Sequence, residues 1–590
     1  MRAMQRLQPH ADGLWVHAIV LLALALPYCI HLGTSSIWDA NEAFYAETPR
    51  EMLATGNYLS PQFNFEPRTQ KPPFTYYVIL ISYKLFGVNE FAVRIPGALA
   101  AIGILLFSYA TARRLFGPRA ALMCAVISAT SARVFILARR LPIDILLLFF
   151  LTGTLFFLVR AIQQKGRIHW APVYLFAAFG FFTKGPIAAV IPAGAFLVWM
   201  LWRRQPRIPV YPLMGAAIFV CVLLPWYALA YRAHGWTYIA PFFLRDNFGR
   251  FAAEAMGPTR GFFYYVSVYA SDFFPWSLLA LAAFYRLWRI RKEAQPFRSL
   301  AFGLPLIWCL FVFFLFSFSK NKQEYYIAPL YPAAAVVLAG VLDRSASGRN
   351  SRSVRAERES PGSSLPGSAT VRAPRQESSW WMWPYGFLAA LLFMLSLFMP
   401  RILAIFMPRI SLVLHFVPSL IFVAGSAWVL WSIVRRRIEQ CFAALAVPLW
   451  TIFMIGVLFY IPALESFRPV KYFCRTLEAH LKADDEAGFF STALPSMVYY
   501  LRRPIFQEYS HEQMVLRFQS DRRVFCILSE KDYDYFTNRG LKIYILDRHS
   551  RFAVRLATLL NEGYTPGEDL LLVTNRYLTQ SSSSEDRSTS

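Results

Sequence analysis

Long apolar runs separated by short polar loops set the pattern of this chain. Runs of roughly 17 to 25 apolar residues are long enough to cross the hydrocarbon core of a bilayer as helices, and they predict about thirteen spans here. We therefore expect an all-α polytopic membrane protein. The predicted spans are 14–32, 92–112, 120–138, 144–161, 170–183, 185–202, 210–231, 272–288, 299–317, 325–342, 381–400, 410–433 and 439–462.

Charge along the loops predicts the orientation of these spans. Loops that should share one side with the N-terminus are basic, and short basic loops mark the cytoplasmic side. The loop between the first two predicted spans, 33–91, is called the first loop. It should then face outwards, together with the loop 232–271 and the chain after residue 461. This pattern predicts a multi-pass membrane protein with a cytoplasmic N-terminus and a C-terminal domain outside the cytoplasm. The basic loops include 113–119, 165–167, 203–207, 286–292 and 435–437.

Composition supports the membrane class and narrows the partners. Hydrophobic residues make up 56% of the 590 residues and charged residues only 16%, whereas a soluble protein has about 25% charged residues. The net charge of +25 is spread over short loops and reports orientation. We therefore expect contacts with membrane lipids and no nucleic-acid binding.

Changes in composition divide the chain. A membrane unit over 1–345 is followed by a linker that is rich in Ser, Arg, Gly and Pro and is predicted to be disordered and cytoplasmic, at 346–379. Additional transmembrane helices follow at 380–463. Strand-length apolar segments then alternate with amphipathic ones and predict a small α/β domain at 464–580, and 581–590 should be a disordered tail.

The outward-facing α/β domain contains Cys474 and Cys526. A disulfide between them is one alternative, because cysteines outside the cytoplasm can oxidise.

Several basic residues on the outer side break the orientation rule, and anion binding explains them. They are Arg139, Arg140, Lys184, Lys320 and Lys322.

Carboxylates lie on the same predicted side, at Asp39, Glu42 and Asp144. Cations with tyrosine hydroxyls suit a phosphate, and a facing carboxylate suits a general base acting on a hydroxyl. Each also has a structural alternative: Asp39 and Glu42 cap or solvate a juxtamembrane helix, Asp144 caps a helix, and Lys71 snorkels at the interface. Their joint placement favours transfer of a group from a lipid phosphate.

A series of short motifs over roughly 10–345 resembles the ArnT-like / protein O-mannosyltransferase superfamily. The motifs are Trp38-Asp39-x-Asn41-Glu42-x-x-Tyr45-Ala46-Glu47, Lys71-Pro72-Pro73, Arg139 to Asp144, Thr183-Lys184-Gly185-Pro186, Asn247-Phe248-Gly249-Arg250-Phe251 and Ser319-Lys320-x-Lys322 with Tyr326 and Pro329.

The resemblance implies a GT-C fold and an inverting glycosyltransferase. Its donor would be a polyprenyl-phosphate sugar, and its acceptor a lipid (lipid A or another glycolipid) or protein hydroxyl outside the cytoplasm. The residues expected to bind the donor phosphate are Lys71, Arg260, Lys320, Lys322 and Tyr326, and those expected to contact substrate are Lys184, Arg139 and Arg250.

The chain departs from the aminoarabinose transferases of that superfamily. Asn41 stands where their favoured catalytic Asp stands, so Asp39 becomes the candidate base, with Glu42 or Asp144 as alternatives. Gln70 replaces a Glu, and Pro258-Thr259-Arg260 replaces a segment that often carries a His; both residues can contribute to a metal site in the relatives. We therefore predict no metal at this place, and dependence on a divalent metal stays open.

Two other functions remain as alternatives. A transporter or flippase for a polyprenyl-linked glycolipid would need ionisable groups deep inside spans or broken-helix repeats. The charges lie at span ends instead, which favours the enzyme. A non-catalytic member that binds glycolipid is the third reading, and Asn41 is the residue that supports it.

Overall fold

The computed structural model describes residues 8–39, 41–140, 142–164, 166–203, 208–249, 260–292, 296–358, 381–407, 410–552 and 567–577. Helices form most of this part, since a chain in a bilayer must satisfy its backbone hydrogen bonds internally. The helices before the C-terminal unit are α1 (Gln8–Cys29), α2 (Asn41–Thr55), α3 (Phe74–Phe86), α4 (Glu90–Phe116), α5 (Pro118–Ala129), α6 (Ala132–Arg140), α7 (Pro142–Gln164), α8 (Ala171–Lys184), α9 (Ile187–Arg203), α10 (Pro212–His234), α11 (Trp236–Ala240), the π-helical α12 (Pro241–Gly249), α13 (Tyr264–Asp272), α14 (Trp276–Arg289), α15 (Gly303–Phe318), α16 (Leu330–Arg358), α17 (Met382–Phe406), α18 (Leu412–Val434), α19 (Ile438–Ile455) and α20 (Ile461–Ala463).

Six helices of the described chain are long and apolar enough to cross a membrane, and eight spans result if each bent pair counts as one. The bent pairs are α5 with α6, at 59°, and α13 with α14, at 112°. Further apolar helices are shorter, including α3, α9 and α15. The chain is thus a mostly helical, multi-pass membrane protein. Pattern reading missed the breaks inside apolar runs and the apolar helix α3, which lay outside the predicted spans.

Helix α16 extends from Leu330 to Arg358. The first part of the segment predicted as a disordered linker, 346–358, is therefore helical. The rest of that linker and the predicted tail at 581–590 lie outside the described residues.

The chain after residue 469 forms a mixed sheet with helices on both faces. The strands run in the order β4 (Phe506–Glu508), β3 (Glu486–Phe490), β5 (Val524–Ser529), β7 (Gly567–Thr574) and β6 (Tyr544–Phe552), with β4, β3 and β5 parallel and β7 antiparallel to both β5 and β6. The helices are α21 (Val470–His480), α22 (Ser496–Leu501), α23 (His511–Gln519) and α24 (Glu530–Thr537).

Alternating side chains of the strands fill two separate cores. Helices α21 and α22 cover one face of the sheet, and α23 and α24 cover the other. Cys474 belongs to the first core and Cys526 to the second. Both thiols are unbonded and buried, because the sheet lies between them. The suggested disulfide between them is therefore absent.

Helix α2 lies in the first loop and is largely buried between α3 and α22. It carries Glu47, Arg50 and Glu51, all buried. Arg50 donates from Nε and Nη2 to the two carboxylate oxygens of Glu47, at 2.7 and 2.6 Å. Glu51 Oε2 accepts from the Phe65 N–H at 3.0 Å, while its Oε1 has no hydrogen-bond partner in the described chain.

The C-terminal unit binds directly to this first loop. The hydroxyl of Tyr500 accepts from the Ile37 N–H at 2.7 Å. Asn64, in the turn between strands β1 (Gln62–Phe63) and β2 (Glu66–Pro67), exchanges two 2.9 Å hydrogen bonds with the backbone of Ile505. The first loop is therefore held between membrane helices and a folded domain.

Two causes raise the pKa of the Glu51 carboxyl well above its ordinary value. Burial is the larger, and the negative charge of the neighbouring Glu47 carboxylate is the second. The folded chain therefore keeps a proton that the unfolded chain releases above its ordinary pKa of 4.5. The stability from this group is complete in acid and is lost as the pH rises towards the raised pKa.

We expect Glu51→Gln to unfold at a higher temperature than the wild type, with a difference that grows from about pH 5 to about pH 8 and then stays constant. Glutamine keeps an oxygen for the Phe65 N–H and cannot ionise, which should be worth roughly 1 to 3 kcal/mol at the higher pH. Thermal unfolding of the purified full chain across this range measures the effect. The exposed Glu66→Gln is the control, and parallel pH profiles for Glu51→Gln and the wild type would contradict the assignment.

Candidate active site

A cavity of about 260 Å³ opens where the first loop meets the ends of several membrane helices. Apolar and polar side chains share its lining, and polar groups that converge in a concave site are what orients a substrate. Its lining residues are Asn41, Phe44, Tyr45, Arg68, Gln70, Lys71, Ile143, Asp144, Leu147, Leu148, Lys184, Ile187, Ile191, Asp246, Phe316, Ser319, Asn321, Tyr325, Tyr326, Ala328 and Pro329.

Charged groups of both signs share this cavity. Arg68, Lys71 and Lys184 bring positive charge, while Asp144 and Asp246 bring negative charge. The Lys184 ammonium forms an ion pair with the Asp144 carboxylate, and it lies 5.3 Å from the ring centroids of both Tyr325 and Tyr326. Ionisable groups beside a bilayer are costly, so their convergence in one cavity makes it a candidate functional site.

Helix ends place the ion pair. Asp144 lies in the first turn of α7, where the helix dipole favours an anion, and Lys184 is the last residue of α8, where the dipole favours a cation. Gly185 then adopts a φ of 101°, which turns the chain sharply into α9 at little steric cost. The ends of the apolar helices α7 and α8 thus bring a carboxylate and an ammonium group together at one boundary of the membrane region.

Four residues predicted from the sequence meet in this cavity: Lys71, Asp144, Lys184 and Tyr326. Lys320 is exposed between two lining residues, Ser319 and Asn321, and does not line the cavity itself.

Lys322 and Arg260 hold the loop that precedes Tyr326. The Lys322 ammonium donates to the carbonyl oxygen of Ser319 at 2.5 Å and is buried. Arg260 Nη1 donates to the Lys322 carbonyl oxygen at 3.1 Å and to the Tyr264 hydroxyl at 2.5 Å. Neither residue lines the cavity. In this structure both hold the loop, and their binding of the donor phosphate stays a prediction.

Asp39 also lies outside the cavity lining. Its Oδ1 accepts from the N–H and the hydroxyl of Ser496, at 3.1 and 2.5 Å. Burial raises the pKa of Asp39, against the opposing effect of these hydrogen bonds. The carboxylate therefore caps the first turn of α22 in the C-terminal unit, a position that does not fit the general base predicted for it.

Glu42 is buried against Arg94, which is itself only 4% exposed. Arg94 Nε and Nη2 donate to the two carboxylate oxygens of Glu42 at 2.6 and 3.0 Å. The second oxygen also accepts from the Trp38 N–H at 2.8 Å. Both oxygens of Glu42 are thus engaged in fixing the loop, and its role as the alternative base stays a prediction.

Arg139 performs a comparable structural task at the end of α1. Its guanidinium donates to the carbonyl oxygens of Pro27 and Ile30 at 2.9 Å and of His31 at 3.2 Å. Unsatisfied carbonyls at a helix C-terminus favour such a cation. Arg139 is thus a helix cap and not the substrate contact expected from the sequence, while Arg250 lies outside the described residues.

The sequence reading did not single out Arg68, Gln70 or Asp246 as lining residues. Arg68 Nε donates to the Tyr76 hydroxyl at 3.0 Å, and its guanidinium carbon lies 4.2 Å from the centroid of the Phe44 ring. Its only signal was proximity to Lys71, since it stands three residues ahead of the motif. Asp246 was visible as an acid in an outer loop, but nothing in the sequence directed it to this cavity.

The cavity does not fit a bound metal ion. No group of three or more His, Cys, Asp or Glu in the described part of the chain is arranged to hold one. At the place considered from the sequence the lining side chain is Gln70, an amide that binds divalent ions less well than a carboxylate.

Sequence comparisons point to sugar transferases. Residues 70–228 match the family model described as dolichyl-phosphate-mannose-protein mannosyltransferase. An uncharacterised protein of Aquifex aeolicus is 30% identical over 327 residues, which is 55% of this chain and 63% of that protein. The undecaprenyl phosphate-alpha-4-amino-4-deoxy-L-arabinose arabinosyl transferase of Pseudomonas aeruginosa is 32% identical over 333 residues, 54% of this chain and 58% of the relative. The similarity thus covers less than two thirds of each relative.

Comparison of structures extends the likeness over the whole chain. The crystal structure of ArnT from Cupriavidus metallidurans bound to undecaprenyl phosphate matches with a TM-score of 0.70 at 18% identity, covering 95% of this chain and 98% of ArnT. The apo structure of the same protein matches with a TM-score of 0.71. The chain is therefore ArnT-like: it shares the GT-C fold of ArnT and is similar in sequence to the polyprenyl-phosphate-dependent sugar transferases.

Proposed function

We propose that this chain is an inverting glycosyltransferase that moves a sugar from a polyprenyl-phosphate donor to a lipid or protein hydroxyl on the outer face of the membrane. The observation that carries the proposal is the cavity in which Lys71 and Lys184 meet Asp144 beside two tyrosines. The similarity to ArnT, whose structure holds undecaprenyl phosphate, supports the same donor class.

Three cations of the cavity would hold the donor phosphate. Arg68, Lys71 and Lys184 come from two different parts of the fold and line one space. A phosphate that becomes a leaving group gains negative charge, and cations already in position stabilise it without reorganisation. The hydroxyls of Tyr325 and Tyr326 add donors for the phosphate oxygens.

Asp144 is the residue proposed as general base in place of Asp39. Its carboxylate would take the proton of the acceptor hydroxyl while that oxygen attacks the anomeric carbon. The bond from the anomeric carbon to the phosphate oxygen then breaks, and polyprenyl phosphate leaves with the electron pair. Binding of the donor phosphate by Lys184 would release Asp144 from its present ion pair. Asp246 is the other carboxylate in the cavity and the second candidate for this step.

The proposed topology places this chemistry outside the cytoplasm. We infer thirteen spans with the N-terminus inside, because basic loops alternate with less basic ones along the chain. The first 345 residues would form the catalytic membrane domain and 380–463 the additional spans. The mixed sheet within 464–580 would be a periplasmic domain of an inner-membrane protein, since it binds the same first loop that borders the cavity.

Replacement of Asp144 tests the base directly. We expect Asp144→Asn to lower turnover roughly 100-fold or more with little effect on folding, as loss of a general base does. Release of polyprenyl phosphate from the full chain in nanodiscs, with hexose, pentose and aminopentose donors and a membrane-lipid acceptor, measures the rate. Asp569→Asn, an acid of the C-terminal sheet bonded to Arg548 and Ser550, is the matched control.

The same assay separates the competing assignments. If Asp144 is the base, Asp246→Asn should lower turnover less than Asp144→Asn does. Loss of activity in Asp39→Asn alone, with full activity in both cavity variants, would return the role to Asp39. Donor binding without any release by the wild type would identify a non-catalytic glycolipid-binding protein.

The charge of the cavity further predicts the donor sugar. Amides of Asn41, Gln70 and Asn321 line it and offer an ammonium group no opposite charge. An ammonium on the sugar would meet more positive than negative charge here. We therefore expect a neutral hexose or pentose donor to give a kcat/KM at least roughly tenfold above that of an aminopentose donor, the effect of about 1.4 kcal/mol. A preference for the amino sugar would contradict this specificity.

A further inference from the structure

Trp38 is stacked between two arginines away from the cavity. The guanidinium carbon of Arg140 lies 3.3 Å from the centroid of the Trp38 ring, and that of Arg468 lies 3.7 Å from the same centroid. Two guanidinium groups this close to one ring must occupy opposite faces, because they would collide on the same face. Such stacking on an indole is favourable, and it fixes the directions in which both guanidinium groups present their N–H donors.

Neighbouring acids offset the charge of this pair only in part. Asp39, Glu42 and Glu465 all attract it, but Asp39 is bonded to Ser496. Glu42 is held by Arg94 and the Trp38 N–H. Glu465 Oε2 accepts from the Ser36 N–H at 3.0 Å and lies 3.9 Å from Arg468. Burial lowers the pKa of Arg468 to about 10, as expected of a cation that is poorly compensated.

Arg140 has even fewer partners than Arg468. Arg468 donates to the Ser36 carbonyl oxygen at 2.9 Å. Arg140 stacks on Trp38 and is attracted by Glu42, but it donates no hydrogen bond within the part of the chain that the structure describes. A half-buried guanidinium carries five N–H donors that need acceptors. Those of Arg140 are available to a ligand.

Both arginines lie at the boundary of the membrane region. Arg140 is the last residue of α6, in one of the bent pairs that pass as a span, and Arg468 directly follows the apolar stretch Ile438–Phe467. Neither residue lines the donor cavity. The pair therefore stands where lipid headgroups meet the helix ends, beside the first loop.

We propose that Arg140 and Arg468 form a second anion site that binds the phosphate group of a membrane lipid. Planar guanidinium forks bind phosphate oxygens through paired charge-assisted hydrogen bonds. An anion at the edge of the Trp38 ring receives donors from both faces, while the lipid chains remain among the apolar helices. The site is independent of the transfer reaction, because it needs no donor in the cavity.

Lipid binding to variants tests the site. The full chain in nanodiscs of phosphatidylcholine with a fixed fraction of phosphatidic acid is released into detergent, and the retained lipids are counted by mass spectrometry. We expect Arg140→Gln and Arg468→Gln each to lower retained phosphatidic acid about tenfold, the effect of losing one charge-assisted contact. Arg140→Lys, which keeps the charge and loses the fork, should retain an intermediate amount.

Matched variants separate this site from other causes. Arg435→Gln removes an exposed arginine that also lies over a tryptophan, 5.6 Å from the Trp431 centroid, and should leave retention unchanged. Lys71→Met alters the donor cavity. It should not change the amount of phosphatidic acid that is lost when Arg140 is replaced by Gln.

Four results would overturn the proposal. Equal retention in all variants would leave the arginines a purely structural stack, and a lower unfolding temperature without lipid loss would have the same meaning. Displacement of phosphatidic acid by millimolar inorganic phosphate would make this a site for soluble anions. Equal retention of phosphatidylcholine, whose phosphate charge is neutralised by choline, would show that the site does not select an anionic headgroup.

Discussion

The buried ion pair between Arg94 and Glu42 is the constraint on which the rest of the site depends. Arg94 also donates to the carbonyl oxygens of Leu32, Ser35 and Ser36, at 2.7, 2.6 and 2.8 Å. One guanidinium from α4 thus binds several carbonyl groups of the chain between α1 and α2 and holds that segment in place. Removing one partner from such a buried pair costs about 3–5 kcal/mol, because it leaves the other charge without compensation. The first loop is therefore fixed where a loop between spans would otherwise move.

This fixed loop is one wall of the cavity and the support of the C-terminal unit. Glu42 faces Arg94, so Asn41, Phe44 and Tyr45 face the cavity. Asp39, in the same loop, binds Ser496 of the C-terminal unit. The domain after the last span is thus joined to the substrate site through a few residues of one loop. A change in its docking would reach the cavity without touching the charged residues there.

Sequence reasoning was successful where chemistry and local pattern coincide. Lys71, Asp144, Lys184 and Tyr326 were placed on one side by the alternation of basic loops, and they do meet in one cavity. It could not show that Asp39 and Glu42 bind other parts of the protein, because an acid in an outer loop looks the same whether it contacts substrate or protein. Ser496, the partner of Asp39, is 457 residues away in the chain. Arg94, the partner of Glu42, is 52 residues away. No spacing rule reaches that far, and the same limit hid Arg68, Asp246 and the pairing of Arg140 with Arg468.

The location of the donor phosphate tests the central claim most directly. A structure of the full chain with polyprenyl phosphate, determined by cryo-electron microscopy in nanodiscs, would show it. We predict that the phosphate lies in the cavity within hydrogen-bonding distance of the Lys71 and Lys184 ammonium groups, with Asp144 released from Lys184 and facing the open side. A phosphate bound elsewhere, with the Asp144–Lys184 pair intact and the cavity without ligand, would contradict the account.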